Sequence, residues 1–253
     1  MVEVRRVVRF SCGAASAIAT KITLAKYPDS QVVNAFIAEE HGDNRRFLTD
    51  VEKWVGRTFT VLRDEKYDAS AYEVFRRSRY TKGLYGAPCS RILKRDLLDK
   101  WSRPGDIPVL GFTSEEQDRA DKFLDINGGV GEFPLIDAGL DKAACLSLIE
   151  RAGITLPLMY RMGYSNANCI GCVKGGAGYW NKIRRDFPER FEEMCKIEDT
   201  IGATSYLMRD RATGVRFPLR QLNPESGRHT TILPECGFSC ERAENDFGKE
   251  ERT

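Results

Sequence analysis

The chain has 253 residues, of which 42% are hydrophobic and 30% are charged. Its 39 lysines and arginines against 37 aspartates and glutamates leave a net charge of +2, so no global positive field commits the protein to nucleic acid. The composition is that of a water-soluble globular protein and excludes a disordered chain, and no segment approaches the roughly 20 apolar residues that cross a bilayer. Residues 1–10 are rich in charge and contain no apolar signal core, so we expect a cytoplasmic protein with no membrane partner.

Strands and helices alternate in the pattern of apolar residues along the first half of the chain. The pattern predicts strands at residues 4–10, 31–38, 57–62 and 107–112. Helices are predicted at residues 17–26, 44–55, 69–77, 89–101, 114–126 and 140–152. This alternation is typical of an α/β fold whose doubly wound, mostly parallel sheet is covered on both faces.

The texture of the sequence changes after the last of these helices. Glycine, asparagine and cysteine become frequent between Gly163 and Gly178, two polar helices are predicted at 179–185 and 189–201, and the tail is irregular. We therefore expect two domains. They are an α/β domain over residues 1–160 and a small, mostly helical, cysteine-containing region over residues 161–253.

A loop of small residues, Ser11-Cys12-Gly13-Ala14-Ala15-Ser16, joins the first predicted strand to the first helix. In open α/β sheets, ligands bind beyond the carboxyl ends of the strands. A small-residue loop there lets backbone N–H groups and the positive end of the helix dipole approach an anion. The alternative is that the small residues only allow close packing of helix and strand. The loop is neither a Walker loop nor G-x-G-x-x-G.

The run FSCGAASAIA resembles the phosphate loop of the adenine-nucleotide α-hydrolase-like superfamily, which includes the PP-loop ATP pyrophosphatases and the phosphoadenylyl-sulfate (PAPS) reductase family. The pyrophosphatase loop reads S-G-G-x-D-S, and here Cys12 replaces a glycine and Ala15 the aspartate. The looser S-x-G form is more similar to the PAPS reductase branch. The resemblance implies a Rossmann-like, five-stranded sheet of the HUP type over residues 1–160. It also implies that an adenine nucleotide is bound by Ser11, Gly13, Ala14, Ala15 and Ser16.

A second segment, GFTSEEQDR at residues 111–119, is similar to the G-x-R-x-x-E-S-x-x-R segment of the same branch. Thr113 stands where the family has its first arginine. The resemblance implies that Gly111, Glu116 and Arg119 bind the nucleotide, and the planar fork of Arg119 suits a phosphate or a sulfate. The alternative is a surface arginine paired with Glu115 or Glu116 within its own helix.

Two close pairs of cysteines lie in the second half of the chain. Cys169 and Cys172 form a C-x-x-C, a spacing that can hold one metal ion or one edge of an iron–sulfur cluster, with a redox pair as the alternative. Cys236 follows Cys172 by 64 residues and forms a second close pair with Cys240, and the two pairs together could form a structural four-thiolate zinc site. Since disulfides are rare in the cytoplasm, metal ligation and thiol chemistry are favoured for the eight cysteines.

The family resemblance gives the cysteines more specific roles. Sulfonucleotide reductases with a [4Fe-4S] cluster bind it through a Cys-Cys pair and a C-x-x-C about 80 residues later. Cys89 precedes Cys169 by 80 residues, with Ser90 in place of the second cysteine. The segment Glu235-Cys236-Gly237-Phe238 is similar to the Glu-Cys-Gly-Leu-His tail whose cysteine attacks the sulfur of the bound sulfonucleotide, although Ser239 stands at the histidine position. The resemblance implies Cys236 as the nucleophile. It also implies that Cys89, Cys169, Cys172 and Cys240 are the cluster ligands. The alternatives for the fourth iron are that it is open or that Cys195 or Cys236 binds it.

Three functions are compatible with these features. The first is a PAPS reductase-like reduction of an adenylyl sulfate, with a thioredoxin-like reductant that regenerates the enzyme. The second is a PP-loop ATP-dependent sulfurtransferase that modifies a nucleobase or nucleic acid through the iron–sulfur cluster, with Mg²⁺ near the phosphates and a separate sulfur donor. The third is a non-catalytic nucleotide-binding module with a structural zinc site.

A basic segment between Arg76 and Arg91 bears on the second function. It contains five basic residues and no acidic one, so it could face the phosphates of a nucleic acid, with a solvated loop as the alternative. The sequence leaves a homo-oligomer open.

Overall fold

The computed structural model describes residues 4–83 and 86–228. Four strands form a parallel sheet in the order β3-β2-β1-β4. They are β1 (Arg6–Phe10), β2 (Gln31–Ala35), β3 (Thr60–Leu62) and β4 (Ile107–Val109). The predicted α/β class and the parallel sheet are confirmed. A fifth strand of this sheet is not seen among the described residues, where a single parallel bridge between Val109 and Glu132 extends the β4 edge.

The predicted helices are present with small shifts at their ends, the helix predicted at residues 89–101 is divided into three consecutive segments, and two short helices at residues 134–137 and 158–161 were not predicted. The helices are α1 (Ala14–Lys26), α2 (Asp43–Val55), α3 (Ala71–Ser78), α4 (Pro88–Ser90), α5 (Leu97–Trp101), α6 (Gln117–Ile126), α7 (Pro134–Asp137), α8 (Lys142–Arg151), α9 (Leu158–Arg161), α10 (Ala177–Asp186) and α11 (Pro188–Ile201). Between α4 and α5 the chain continues as a π-helix over Arg91–Asp96, a wide form that is rare and occurs frequently at functional sites. Within residues 4–83 and 86–228, no helix combines the length and the apolarity that crossing a membrane requires.

Both faces of the sheet are covered. Successive residues of a strand point to opposite faces, so Val8 and Phe10 of β1 pack into a cluster with α1, α2 and α8, whereas Val7 packs against Leu98 of α5. The first cluster includes the ring of Phe10, whose centroid lies 5.0 Å from that of Phe59. Each such fully buried side chain stabilises the fold by roughly 1.5–3 kcal/mol. The two-sided packing leaves the carboxyl ends of the strands as the open edge.

A second hydrophobic cluster joins the C-terminal helices to earlier parts of the chain. Trp180 of α10 and Met194 of α11 are fully buried in it together with Phe75 of α3 and Leu93 of the π-helix. The described residues beyond 160 therefore share a core with α3 and the π-helix, and a short antiparallel pair, β5 (Met208–Arg209) and β6 (Arg216–Phe217), closes this part. The boundary at residue 160 stays a prediction. What the packing does fix is the position of the C-x-x-C loop beside the helix that carries Cys89.

Candidate functional site

The predicted phosphate loop forms a tight turn between β1 and α1. The hydroxyl of Ser16 accepts from the backbone N–H groups of Ser11 (3.1 Å) and Gly13 (3.3 Å) and donates to the carbonyl of Gly13 (2.9 Å). Helix α1 begins at Ala14, earlier than the predicted residue 17, so Ala14, Ala15 and Ser16 belong to its first turn. The loop is therefore held by its own last residue, with the amino end of α1 directed at the open edge of the sheet.

Cys12 occupies the most constrained position in this loop. Its φ of 58° lies in the left-handed region that favours glycine. Its side chain is fully buried, and the thiol receives Nη2 of Arg45 at 3.2 Å and Nδ2 of Asn34 at 3.6 Å. Burial raises the pKa of this thiol to about 12. Cys12 is thus a packing residue of the loop.

Gly111 brings the second predicted segment against the loop. A Cβ atom at this position would lie 2.9 Å from both Cα and N of Ser16, closer than a real side chain tolerates. Only glycine allows the chain after β4 to approach the first turn of α1 so closely. The two segments that carry the family resemblance are therefore neighbours.

A cavity of about 950 Å³ opens at the carboxyl ends of β1 and β4. The predicted nucleotide-binding residues that line it are Ser11, Gly13, Ala15, Ser16, Gly111, Glu116 and Arg119. Ala14 does not line it, because its side chain is buried in the first hydrophobic cluster. Residues that are far apart in the sequence thus share one opening, at the edge where the fold class places ligands.

Arg119 forms the ion pair that the surface-arginine alternative predicts and also lies at the cavity, and its binding to a nucleotide stays a prediction. Its guanidinium forms an ion pair with Glu116 in the same helical segment, as the surface-arginine alternative predicts. It also lines the cavity and lies over the ring of Phe112, 4.3 Å from the ring centroid. With an exposed fraction of 62%, its side chain stays accessible to a ligand.

Basic side chains outnumber acidic ones around the cavity. Besides Arg119, those that line it are Arg9, Lys94, Arg95, Lys142 and Lys174, against Glu115 and Glu116. Sequence reasoning did not identify Lys142, whose ammonium donates to the carbonyl of Ser165 and to Oδ1 of Asn166 at 2.6 Å. Burial lowers the pKa of Lys142. The excess of positive charge makes an anion the expected ligand.

Lys94, also missed by sequence reasoning, lies where the cavity meets the cysteines. It projects from the π-helix, and its ammonium lies 3.3 Å from Oε1 of Glu40, whose side chain is 5% exposed. Burial lowers the pKa of Lys94, but the charges of Glu40 and Cys169 outweigh burial and raise it. The only sequence signal was its place on the helix that starts beside Cys89, five residues before it.

Cys172 and Lys94 act electrostatically on Cys89 and on Cys169, the two other predicted metal-binding cysteines among the described residues. Burial and the nearby Cys172 together raise the pKa of Cys89 to about 11, although Lys94 and Lys174 act to lower it. Burial also raises the pKa of Cys169, which Lys94 lowers and Cys172 and Cys89 raise. Cys89, Cys169 and Cys172 are therefore within electrostatic reach of one another and of the cavity, since Ser90 and Asn168, their sequence neighbours, line it.

A single tyrosine holds the C-x-x-C loop. The hydroxyl of Tyr179 accepts from the backbone N–H groups of Gly171 (3.0 Å) and Cys172 (2.9 Å) and donates to the carbonyl of Cys169 (3.0 Å). Gly171 has a φ of +77°, which turns the loop so that all three groups face the phenol. The loop that carries the two thiols is thus fixed by the first turn of α10.

Cysteine thiolates suit a soft metal ion, but the described residues do not form a complete set of ligands for one. Among residues 4–83 and 86–228, no three His, Cys, Asp or Glu side chains are arranged to hold a metal ion. Cys236 and Cys240 lie outside the described residues. Cys195, a further alternative ligand, is fully buried in α11, where it packs in the second hydrophobic cluster. Metal binding by Cys89, Cys169, Cys172 and Cys240 therefore stays a prediction.

The arginines of the basic segment are engaged within the protein. Arg76 forms ion pairs with Glu73 at 2.8 Å and with Glu193 of α11. Arg77 lies 3.5 Å from Glu73, and Arg79 donates to the carbonyl of Ile201. These contacts anchor α3 to α11, and the contact with nucleic acid stays a prediction.

No known protein-family model matches the chain, and no curated protein is similar enough to count as a match.

Proposed function

We propose that the chain is a PAPS reductase-like enzyme of the HUP type, which binds an adenine nucleotide in the cavity and performs sulfur chemistry with the thiols beside it. One observation carries the proposal. The Ser11–Ser16 loop and the segment from Gly111 to Arg119 line one basic cavity at the carboxyl ends of parallel strands, and Ser90 and Asn168, the sequence neighbours of Cys89 and Cys169, line it as well. Nucleotides bind at this edge in open α/β sheets. The HUP type has a five-stranded sheet, so the proposal includes a fifth strand beside the four that the structure describes.

The phosphate would bind at the amino end of α1. Backbone N–H groups and the helix dipole favour an anion there, and α1 is 13 residues long. Lys94, Lys142 and Arg119 would surround the charged groups of the ligand. Such preset positive groups stabilise charge that develops on a leaving phosphate oxygen.

In the reaction proposed here, the thiolate of Cys236 attacks the sulfur atom of an adenylyl sulfate. The new bond joins the two sulfur atoms, and the bond between sulfur and the phosphate oxygen breaks, so the nucleotide leaves with the electron pair and Cys236 carries a sulfonate. A thiol of a thioredoxin-like reductant then attacks Sγ of Cys236, and sulfite leaves. A second thiol of the reductant resolves the mixed disulfide. Two thiols become one disulfide, two protons are released, and the two electrons reduce the sulfate sulfur to sulfite.

A [4Fe-4S] cluster would be held by Cys89, Cys169, Cys172 and Cys240. A bound metal centre keeps its cysteine ligands as thiolates, which offsets the burial that raises the pKa of Cys89 and Cys169. Zinc held by the same four thiols is the alternative and would give the site a structural role alone.

A second candidate function is a PP-loop ATP-dependent sulfurtransferase. The observation that favours it is Ser90, which stands at the second position of the expected Cys-Cys pair and lines the cavity. Since a serine is a weak ligand, a three-cysteine site would keep one position open toward the nucleotide. Mg²⁺ would accompany the phosphates of ATP in that case.

The deciding experiment is anaerobic purification of the full chain followed by iron, zinc and labile-sulfide analysis, and then by two activity measurements. Release of sulfite from an adenylyl sulfate with reduced thioredoxin supports the reductase, and release of pyrophosphate from ATP supports the transferase. A colourless zinc protein that does neither would refute both and leave the structural module. Cys236→Ser should abolish sulfite release with the metal content unchanged, whereas Cys240→Ser should lower the metal content. Loss of metal in Cys236→Ser would reassign Cys236 as a ligand.

A further inference from the structure

A buried hydroxyl beside the C-x-x-C loop has no hydrogen-bond partner among the described residues. It belongs to Tyr72, which lies in the first turn of α3 and is 5% exposed. A hydroxyl that leaves water without gaining a hydrogen bond costs free energy, so an unpaired one in a folded core calls for an explanation. The hydroxyl of Tyr179, by contrast, makes three hydrogen bonds with the same loop.

The position of the Tyr72 hydroxyl brings it to the segments that carry the thiols. A Cβ atom on Gly171, which stands between Cys169 and Cys172, would lie 3.4 Å from the hydroxyl oxygen. Helix α3 also packs against α4, which carries Cys89. The side chains of Tyr72, Cys89 and Cys169 pack in the same hydrophobic cluster. The hydroxyl therefore lies where the segments of three predicted metal ligands meet.

The carboxylate that precedes this part of α3 in the core already has its donors. Oε1 of Glu39 accepts from the hydroxyl of Ser70 at 2.5 Å, and Oε2 accepts from the N–H group of Ala71 at 2.7 Å. A metal ion keeps its cysteine ligands as thiolates, and a charged acceptor forms a stronger hydrogen bond than a neutral one. A metal-bound thiolate would thus be the acceptor that suits the hydroxyl of Tyr72.

We propose that the hydroxyl of Tyr72 donates a hydrogen bond to a metal-bound thiolate of the C-x-x-C loop, and that Tyr72 is thereby a positioning residue of the metal site. The inference rests on the thiol site of the proposed function and adds a residue outside the cysteine motifs. Burial raises the pKa of the Tyr72 hydroxyl more than the charge of Arg190 lowers it. The phenol therefore keeps its proton and stays a donor at the pH values at which thiolates bind a metal.

Two consequences of this role have opposite signs. A partner that orients a metal ligand typically contributes about 10-fold to 100-fold in metal affinity, so its loss should weaken metal binding. The same hydroxyl is unpaired in the metal-free core, so its removal there should not destabilise the fold. A residue that only supports the fold would lower the stability of the metal-free chain instead.

The test is an anaerobic titration of the reduced full chain and of Tyr72→Phe with Co²⁺, which binds cysteine thiolates and then shows a thiolate-to-cobalt charge-transfer band. We expect Tyr72→Phe to bind Co²⁺ about 10-fold more weakly. Its charge-transfer band should move to longer wavelength, because a thiolate that receives no hydrogen bond gives up an electron more readily. In urea unfolding, the midpoint of metal-free Tyr72→Phe should equal or exceed that of the unchanged chain.

Tyr164→Phe is the matched control, since its hydroxyl donates to Asp186. It should keep the Co²⁺ affinity and the band of the unchanged protein. Cys169→Ser should lose the band, which ties it to the thiols of the proposed site.

A charge-transfer band that stays in place in Tyr72→Phe overturns the inference and leaves the thiol site intact. A lower urea midpoint of metal-free Tyr72→Phe also overturns it, because the hydroxyl would then be bonded in the free protein, for example to a buried water. No charge-transfer band in the unchanged chain, or a band that persists in Cys169→Ser, would refute the thiol site and the inference together.

Discussion

The ammonium of Lys94 and the carboxylate of Glu40 lie 3.3 Å apart, between the cavity proposed to bind a nucleotide and the cysteines on which Lys94 acts. Lys94 faces the cavity, and its charge acts on both Cys89 and Cys169. Glu40 is almost completely buried and also receives Nδ2 of Asn44 at 3.2 Å. The charge of Lys94, held by Glu40, therefore acts both on the cavity and on the thiols of Cys89 and Cys169.

Replacing Lys94 with methionine should weaken nucleotide binding and destabilise the fold. A hydrogen bond to a charged group contributes about 1.5–3 kcal/mol, so the affinity for AMP should fall about 10-fold or more. The loss of stability should be smaller, about 1–2 kcal/mol, because Lys94 is partly exposed and Glu40 keeps its contact with Asn44. Titration calorimetry and urea unfolding measure the two effects. Lys100→Met, an exposed lysine of α5 outside the cavity lining, is the control, and equal effects of the two substitutions would contradict a special role for Lys94.

A methyl group on Gly111 should separate the two segments of the proposed nucleotide site. Its Cβ would lie 2.9 Å from the backbone of Ser16, so the chain after β4 or the first turn of α1 must move. Overpacking of this kind costs about 1–3 kcal/mol. We expect Gly111→Ala to lower the free energy of unfolding by that amount and to weaken AMP binding. Gly42→Ala, where nothing lies within 4 Å of the new Cβ, should change neither by more than about 0.5 kcal/mol.

Glu198, which is buried beside the second hydrophobic cluster, should make the free energy of unfolding of the protein depend on pH. Its carboxylate is fully buried and accepts from the N–H groups of Leu207 (2.8 Å) and Leu219 (2.6 Å). Burial outweighs these bonds and raises the pKa to about 7, above the value of 4.5 in the unfolded chain. Between these two pH values the unfolded state releases a proton that the folded state retains, so stability falls as the pH rises through this window.

The matched variant is Glu198→Gln, which cannot titrate. From pH 4.5 to pH 7 the unfolding free energy of the unchanged protein should fall by about 2 kcal/mol more than that of the variant. Any constant cost of the substitution cancels in this comparison of slopes. Parallel pH profiles in urea unfolding would show that the folded carboxyl titrates as it does in the unfolded chain.

The order of strands and helices could be predicted because hydrophobic periodicity is a local property of the sequence. The start of α1 could not, since the hydroxyl of Ser16 organises the preceding turn through contacts that no periodicity records. The loop was found from its small residues and the segment at Gly111 through the family resemblance. Lys142 was not found, because the folding of distant segments alone brings it to the cavity. Cys89 was linked to Cys169 only through a family spacing, and the structure adds that the charge of Lys94 acts on both thiols.

Removing the hydroxyl of Tyr179 should loosen the C-x-x-C loop and weaken metal binding at the proposed site. Tyr179→Phe leaves the N–H groups of Gly171 and Cys172 and the carbonyl of Cys169 without their shared partner. Each buried group left unsatisfied costs about 1–3 kcal/mol, and loss of a group that orients metal ligands typically lowers metal affinity about 10-fold to 100-fold. Metal content after anaerobic reconstitution, together with unfolding of the metal-free chain, measures both. Tyr164→Phe removes a hydroxyl on a ring 5.9 Å from that of Tyr179 without touching the loop, so it should keep its metal. A Tyr179→Phe protein that is destabilised but binds metal normally would mean that the phenol supports the fold alone.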